Sequence, residues 1–228
     1  MSNSSAVTPL PSATVILLRD AHETIETLLL RRNAQLSFHG GAWVFPGGRI
    51  DPEDYGSGEA SDLVTAARRA AAREAYEEAG LVVAPADLIW LSHWTTPEGR
   101  RERFSTWFFI ALAGDELVRI DGSEIHDHAW MPPAQALAVQ RAKEIELPPP
   151  TFVTLTKLAA YQKAQAALSR FAKSEPEIFT PRNHKVPGGI CSLYAEDVGY
   201  VDGDLSRPGR RHRLWMIDSG WRYEQAEQ

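Results

Sequence analysis

The sequence predicts an α/β fold, and three observations carry that reading. Two runs rich in Val, Ile and Leu, Ala13 to Arg19 and Ile25 to Arg31, are separated only by Asp20-Ala21-His22-Glu23 and read as a buried β-hairpin. The stretch from Asp62 to about Ala79 carries Leu63, Ala67, Ala70 and Ala71 on one stripe at helical spacing. Arg103 to Leu112 is dense in aromatic residues, the composition of a strand on a packed surface.

In chain order, residues 1–12 read as a flexible arm of Ser and Pro ahead of the first strand. Arg31 to Gly41 is a loop that leads into a short strand, Ala42 to Phe45. This strand feeds a Pro46-Gly47-Gly48 turn, and Gly47 and Gly48 allow backbone to approach a phosphate closely. Asp62 is a suitable cap for the long helix, and Gly80 suits its left-handed end. Leu81-Val82-Val83 and Leu88 to Trp94 read as strands. The connection that follows, Thr95 to Arg103, places Arg100, Arg101 and Arg103 beside a Thr-Pro turn, where they could clamp phosphate groups. Glu124 to Trp130 is loop then strand. Pro132-Pro133-Ala134 opens a short helix, and Pro148-Pro149-Pro150-Thr151 opens a longer one, from Phe152 to about Lys173. From Glu175 the composition changes to turns and short strands, ending in a hairpin around Asp218-Ser219-Gly220. The chain thus divides into an arm (1–12), a main domain (13–174) and a C-terminal extension packed on the core (175–228).

Bulk properties exclude several function classes. A net charge of −6 gives no long-range attraction for nucleic acid or polyphosphates, so an anionic substrate must be held by local arginines and metal. Cys191 stands alone, which excludes an intrachain disulfide and a multi-cysteine zinc ribbon, fits a reducing cytoplasm, and reads as a small buried filler. His126 and His128 share a strand face but lack further zinc ligands. Neither a signal peptide, a membrane span nor a peroxisomal address is apparent, and a cytoplasmic location is expected.

The chemistry concentrates in Glu74, Glu77 and Glu78, whose i, i+3, i+4 spacing brings their carboxylates to one helix face. That face continues the apolar stripe. Carboxylates crowded there lose hydration and repel one another, at a cost of several kcal/mol unless a cation or an arginine compensates them. Mg²⁺ or Mn²⁺ is the natural partner, because hard cations take oxygen ligands. The competing reading is an ordinary amphipathic helix with an Arg73–Glu77 i,i+4 pair.

Gly48 followed by Arg73-Glu74-Ala75-x-Glu77-Glu78-x-Gly80-Leu81 resembles the signature of the Nudix hydrolases. The second half matches at every specified position. The first half departs: five residues after Gly48 comes Asp54 rather than Glu, and residues 55–72 stand where the pattern has seven. Glu53, Asp54 and Glu59 are candidates for the displaced first acid. An extended loop here is similar to the acyl-CoA diphosphatase branch. The segment Leu28 to Gly41, with Leu28, Leu29, Arg32, Leu36, His39 and Gly41 ahead of Phe45-Pro46-Gly47-Gly48, resembles the one preceding the box in coenzyme A diphosphatases. Ser37 there replaces an arginine.

The resemblance implies a Nudix fold, an α/β/α sandwich with a mixed β-sheet, and a metal-dependent diphosphatase. Gly48, Glu74, Glu77 and Glu78 would hold Mg²⁺ or Mn²⁺, Arg73 would orient the carboxylates, and Glu74 or Glu124 would act as base. Arg32, His39, Gly47, Gly48, Arg100, Arg101 and Arg103 would contact a small nucleotide-derived substrate, with coenzyme A or acyl-CoA first and other dinucleotides or nucleotide sugars such as NADH or ADP-ribose next. A non-catalytic nucleotide sensor is the rival of another class. Proteins of this kind often form homodimers, though no interface is legible in the sequence.

Overall fold

A mixed β-sheet organises the chain, described by a computed structural model over residues 7–35, 39–56 and 62–226. Its elements are β1 (Leu10–Ala21), β2 (Thr24–Arg32), β3 (Trp43–Val44), β4 (Gly47–Arg49), α1 (Leu63–Ala79), β5 (Ile89–Thr95), β6 (Phe104–Leu112) and β7 (Ile125–Met131). There follow α2 (Pro133–Arg141), α3 (Pro149–Leu158), α4 (Ala164–Phe171), β8 (Glu177–Phe179), β9 (Arg182–Val186), β10 (Gly189–Leu193), β11 (Arg211–Ile217) and β12 (Gly220–Ala226). Short 3₁₀ turns occupy Pro52–Tyr55 and Pro85–Asp87.

The main sheet runs β3-β2-β1-β6-β5-β8, with β4 also paired to β1 and β7 to β2. The β1–β6 and β5–β8 pairs are parallel and the rest antiparallel. Alternation along β1 and β6 divides the core. Val15, Leu17, Phe109 and Ala111 face α1, while Ile16, Leu18, Phe108 and Ile110 face α3, α4 and the aromatic residues of the C-terminal segment. Only alanines (Ala66, Ala67, Ala70, Ala71, Ala75, Ala79) form the buried apolar stripe of α1, so the helix axis lies close to the sheet.

Three sequence expectations need correction. The strand begins inside the expected arm: Leu10 already pairs with Phe104, and Leu10 N–H bonds the Arg103 carbonyl. Leu81-Val82-Val83 is not a strand. The Leu81 N–H is taken by the Ala75 carbonyl in the helix-end motif around left-handed Gly80, and Val82 is exposed. The long helix after Thr151 is two helices, broken at residues 159–163. No Gly or Pro marks the break; the first amide of α4, Ala164, is instead capped by the Asp20 carboxylate at 2.7 Å from the β1–β2 hairpin, a tertiary contact.

The C-terminal segment is part of the fold's core. β8 extends the main sheet, and β9–β12 form an antiparallel sheet of order β12-β11-β10-β9. Phe179 stacks on Trp94 with centroids 3.8 Å apart, and Tyr194 packs edge-on against both. A fully buried Arg213–Asp197 pair, with contacts of 2.6 and 2.7 Å, fastens the β10–β11 connection to β11. Cys191 is buried on β10. Replacing Phe179, which is 1% exposed, with Ala should cost about 3–5 kcal/mol in chemical denaturation; a change below about 1 kcal/mol would show that β8 contributes little to the core.

Candidate active site

Helix α1 and strand β4 meet at a pair of glycines. β4 is held on β1 by Ala13–Gly48 and Thr14–Gly47 pairing, and Val15 N–H donates to the Pro46 carbonyl at 2.9 Å. A Cβ on Gly48 would overlap the Glu74 carboxylate, and one on Gly47 would overlap Thr14 and the Ala13 carbonyl. The Gly47 N–H donates to Glu78 Oε2 at 2.9 Å, which ties the end of α1 to the turn.

Arg73 gathers the acids. Its Nη1 donates to Glu74 Oε1 at 2.9 Å and Glu77 Oε2 at 2.7 Å. Its Nε and Nη2 reach the two oxygens of Asp54 at 3.3 and 3.0 Å, and Nη2 also donates to the Arg49 carbonyl at 2.9 Å. Asp54 is buried at 5% exposure on the 3₁₀ turn, where it also accepts the Asp51 N–H, while Arg69 donates to its main-chain carbonyl. Of the three candidate first acids, then, Asp54 is the one on Arg73; Glu53 is exposed, and Glu59 lies outside the described residues. The signal is present in Asp51-Pro52-Glu53-Asp54, a reciprocal capping pattern that aims Asp54 inward.

Burial sets the electrostatics. It pushes the Glu78 carboxyl up to about 8, with Glu74 and Glu124 adding to the effect and the Gly47 N–H and Arg32 opposing it. Burial also raises Glu74, against the pull of Arg73. Burial disfavours the Arg73 charge, but Asp54, Glu74 and Glu77 outweigh it and hold the guanidinium well above its ordinary value.

The three box carboxylates do not share one environment. Glu78 is buried, the Glu74 side chain is 14% exposed and that of Glu77 is 54% exposed, so the expectation that all three continue the buried stripe fails for Glu77. Among the described residues no group of three His, Cys, Asp or Glu side chains converges as a metal site, because Arg73 draws Glu74 and Glu77 to itself. The donor set still suits a hard divalent cation. It offers oxygen alone, and Glu78 is a buried carboxylate whose ionisation lacks a compensating positive charge in contact.

The arginines expected at the substrate separate into two groups. Arg32 leaves β2 at a bulge, its backbone bonded to Ala42 and Gly41, with Nε buried and without a hydrogen-bond partner among the described residues. Its charge acts on Glu78 and on His39. His39, in left-handed conformation at φ 53°, is lowered to about 4 by burial, then by Arg32 and Arg100. Arg100 therefore shares this region, and Arg101 is exposed in the same connection. Arg103 turns the other way: it is 9% exposed and donates to the Thr96 and Val7 carbonyls, which corrects its assignment to the substrate. Glu124 is exposed, its carbonyl accepting the Asn33 N–H at 2.7 Å, next to Arg32 in the chain. Leu36 and Ser37 of the coenzyme A-type segment lie outside the described residues.

The model of the NUDIX domain matches residues 8–151. The chain belongs to the NUDIX family. Its relatives include a Caenorhabditis elegans protein that bears the name of a nudix hydrolase, 26% identical over 227 residues, covering 82% of this chain and 74% of that one. An acyl-coenzyme A diphosphatase of Homo sapiens is 30% identical over 136 residues, 52% of this chain; the match spans only 36% of that protein's length. The crystal structure of a NUDIX hydrolase from Alicyclobacillus acidocaldarius superposes with a TM-score of 0.65 at 25% identity, over 74% of this chain and 99% of the other. The chain is thus a Nudix-type pyrophosphohydrolase, of a family that acts on small nucleotide-derived molecules with divalent metal ions. No helix among the described residues is long and apolar enough to cross a membrane.

The raised Glu78 carboxyl gives this Nudix site a pH signature. A folded-state value above the unfolded one means that the group's contribution to stability is complete below about pH 4.5 and is lost as pH rises through about 8. In metal-free protein, Glu78→Gln should therefore be more stable than wild type by a few kcal/mol above pH 8, since each tenfold change in proton affinity is worth about 1.4 kcal/mol, and no different near pH 4. Denaturation at the two pH values checks this; a gap that does not change with pH would contradict it.

Proposed function

We propose that the protein hydrolyses the diphosphate of coenzyme A or an acyl-CoA, releasing a 4′-phosphopantetheine product and adenosine 3′,5′-bisphosphate. The observation that carries this reading is Arg32, which stands at the β2 bulge with its Nε buried and without a hydrogen-bond partner among the described residues, and whose charge acts on both Glu78 and His39. A substrate lying across it would have its diphosphate beside the carboxylates and a further anionic group beside Arg32 and Arg100. Similarity to the human acyl-coenzyme A diphosphatase supports the same reading.

Glu74, Glu77, Glu78 and the Gly48 carbonyl would hold Mg²⁺ or Mn²⁺. When bound, the metal supplies charge neutralisation at the diphosphate and a lowered pKa for the attacking water. The chain's own residues do the positioning. Asp54 fixes Arg73, and Arg73 restrains Glu74 and Glu77. Gly47 lets β4 lie close on β1, and Gly48 leaves room for the Glu74 carboxylate beside the turn. Glu74 or Glu124 takes the proton as water attacks phosphorus and the anhydride P–O bond breaks. His39 is neutral at pH 7 and serves as a hydrogen-bonding group rather than a charge.

Product analysis with Mg²⁺ or Mn²⁺ over coenzyme A, acetyl-CoA, a long acyl-CoA, NADH, ADP-ribose and a diadenosine polyphosphate tests the proposal. Adenosine 3′,5′-bisphosphate should appear with wild type, and Glu77→Gln and Glu78→Gln should each lower kcat by about 10²-fold or more without loss of fold. Cleavage only of NADH or ADP-ribose would retain the hydrolase and overturn the coenzyme A reading, and tight binding without any product would favour a sensor. Arg32→Ala should raise KM for coenzyme A by about ten-fold, as expected for a lost charge-assisted phosphate contact, and leave ADP-ribose less affected; equal effects on both would remove Arg32 from the specificity of the site.

A further inference from the structure

A cavity of about 320 Å³ lies between the end of α2 and the turn end of the second sheet, where β9 meets β10 and β11 meets β12, and none of the residues discussed above as the active site lines it. Its volume is in the range of small-molecule sites. One wall carries Arg141 and Lys143, the other Asp218, with Met216 and Trp221 providing apolar surface. Trp221 is set edge-on against Phe152 at 5.3 Å, which anchors that wall in the core.

Two observations point to a ligand. Arg141, Lys143 and Asp218 are exposed residues that border one cavity, and among the described residues their side chains have neither an ion-pair nor a hydrogen-bond partner. Lys143 also holds a left-handed conformation, φ 63°, directly after α2, where its N–H bonds the Gln140 carbonyl and the Glu144 N–H bonds that of Val139. Glycine fills such a helix-end position without strain, so a lysine there carries a conformational cost, and this lysine borders the cavity. Gly189 lets β10 and β11 approach closely, since a Cβ there would overlap the Met216 carbonyl, and beside Gly220 there is open space, with nothing within 4 Å of a Cβ position.

We propose that this cavity binds a small organic anion, a phosphate or carboxylate on a flat apolar body. The anion would lie between Arg141 and Lys143, the body on Trp221 and Met216, and a hydroxyl or amine of the ligand would face Asp218. The segment after Lys143 reaches β3, the strand that leads into the Gly47–Gly48 turn, since the Trp43 N–H donates to the Glu146 carbonyl at 2.9 Å.

The test is a ¹H–¹⁵N NMR titration of the full chain with phenyl phosphate, phenylacetate and inorganic phosphate. Saturable shifts at the Gly189 and Gly220 amides and the Trp221 indole N–H are expected with phenyl phosphate or phenylacetate, and which of the two binds tighter distinguishes the anion. The double variant Arg141→Gln, Lys143→Gly should weaken that binding at least ten-fold with no fall in Tm, because glycine relieves the left-handed position. Absence of saturable shifts at millimolar concentration, equal affinity for inorganic phosphate alone, or binding unchanged in the double variant would each overturn the proposal.

Discussion

The contact on which the site depends is the docking of the acidic end of α1 onto the Gly47–Gly48 strand, closed by the hydrogen bond from Gly47 N–H to Glu78. Everything upstream serves that approach. The parallel β1–β6 pair provides a flat apolar floor, β4 is laid on β1 by its own ladder, and the alanine stripe lets α1 come close enough for a carboxylate to touch backbone. Larger side chains on that stripe would lift the helix, and any side chain at Gly48 would displace Glu74.

A second constraint is charge. Asp51, Asp54, Glu74 and Glu77 all pair with one guanidinium, and Glu78 is buried beside them with only a peptide N–H. Among the described residues Arg73 is the one guanidinium paired with these carboxylates, and burial raises Glu74 and Glu78, with neighbouring carboxylates adding to the shift. Such an arrangement is costly for folding alone and makes sense where a cation or a proton is part of the chemistry. Asp54 occupies Nε and Nη2 of Arg73, which leaves one nitrogen for the box carboxylates and keeps them from a tighter pairing.

Much of this is legible in the residues. The β1–β2 hairpin, α1 with its cap and Gly80, and the aromatic strand β6 follow from periodicity and punctuation, because local pattern and tertiary packing agree there. The failures occur where a distant group decides. Asp20 caps the start of α4 from the β1–β2 hairpin and two carbonyls pull Arg103 inward, neither of which leaves a trace in the local sequence; Leu81 is the exception, since the helix end marked by Gly80 takes the amide that a strand would need. At the site, spacing alone places three glutamates on one face, but a stripe about 100° wide cannot distinguish buried Glu78 from exposed Glu77. The partner of Arg73 is ambiguous from counting because an insertion shifts the spacing; three-dimensional pairing with Asp54 resolves it.

The most direct test of this account is Mn²⁺ binding by Gly48→Ala, followed by EPR or calorimetry on protein shown by circular dichroism and Tm to be folded. If the close approach of Glu74 and Glu78 to the glycine strand creates the cation site, the single added methyl should weaken Mn²⁺ affinity at least ten-fold while the fold persists. Wild-type Mn²⁺ affinity in a folded Gly48→Ala protein would contradict the account at its centre.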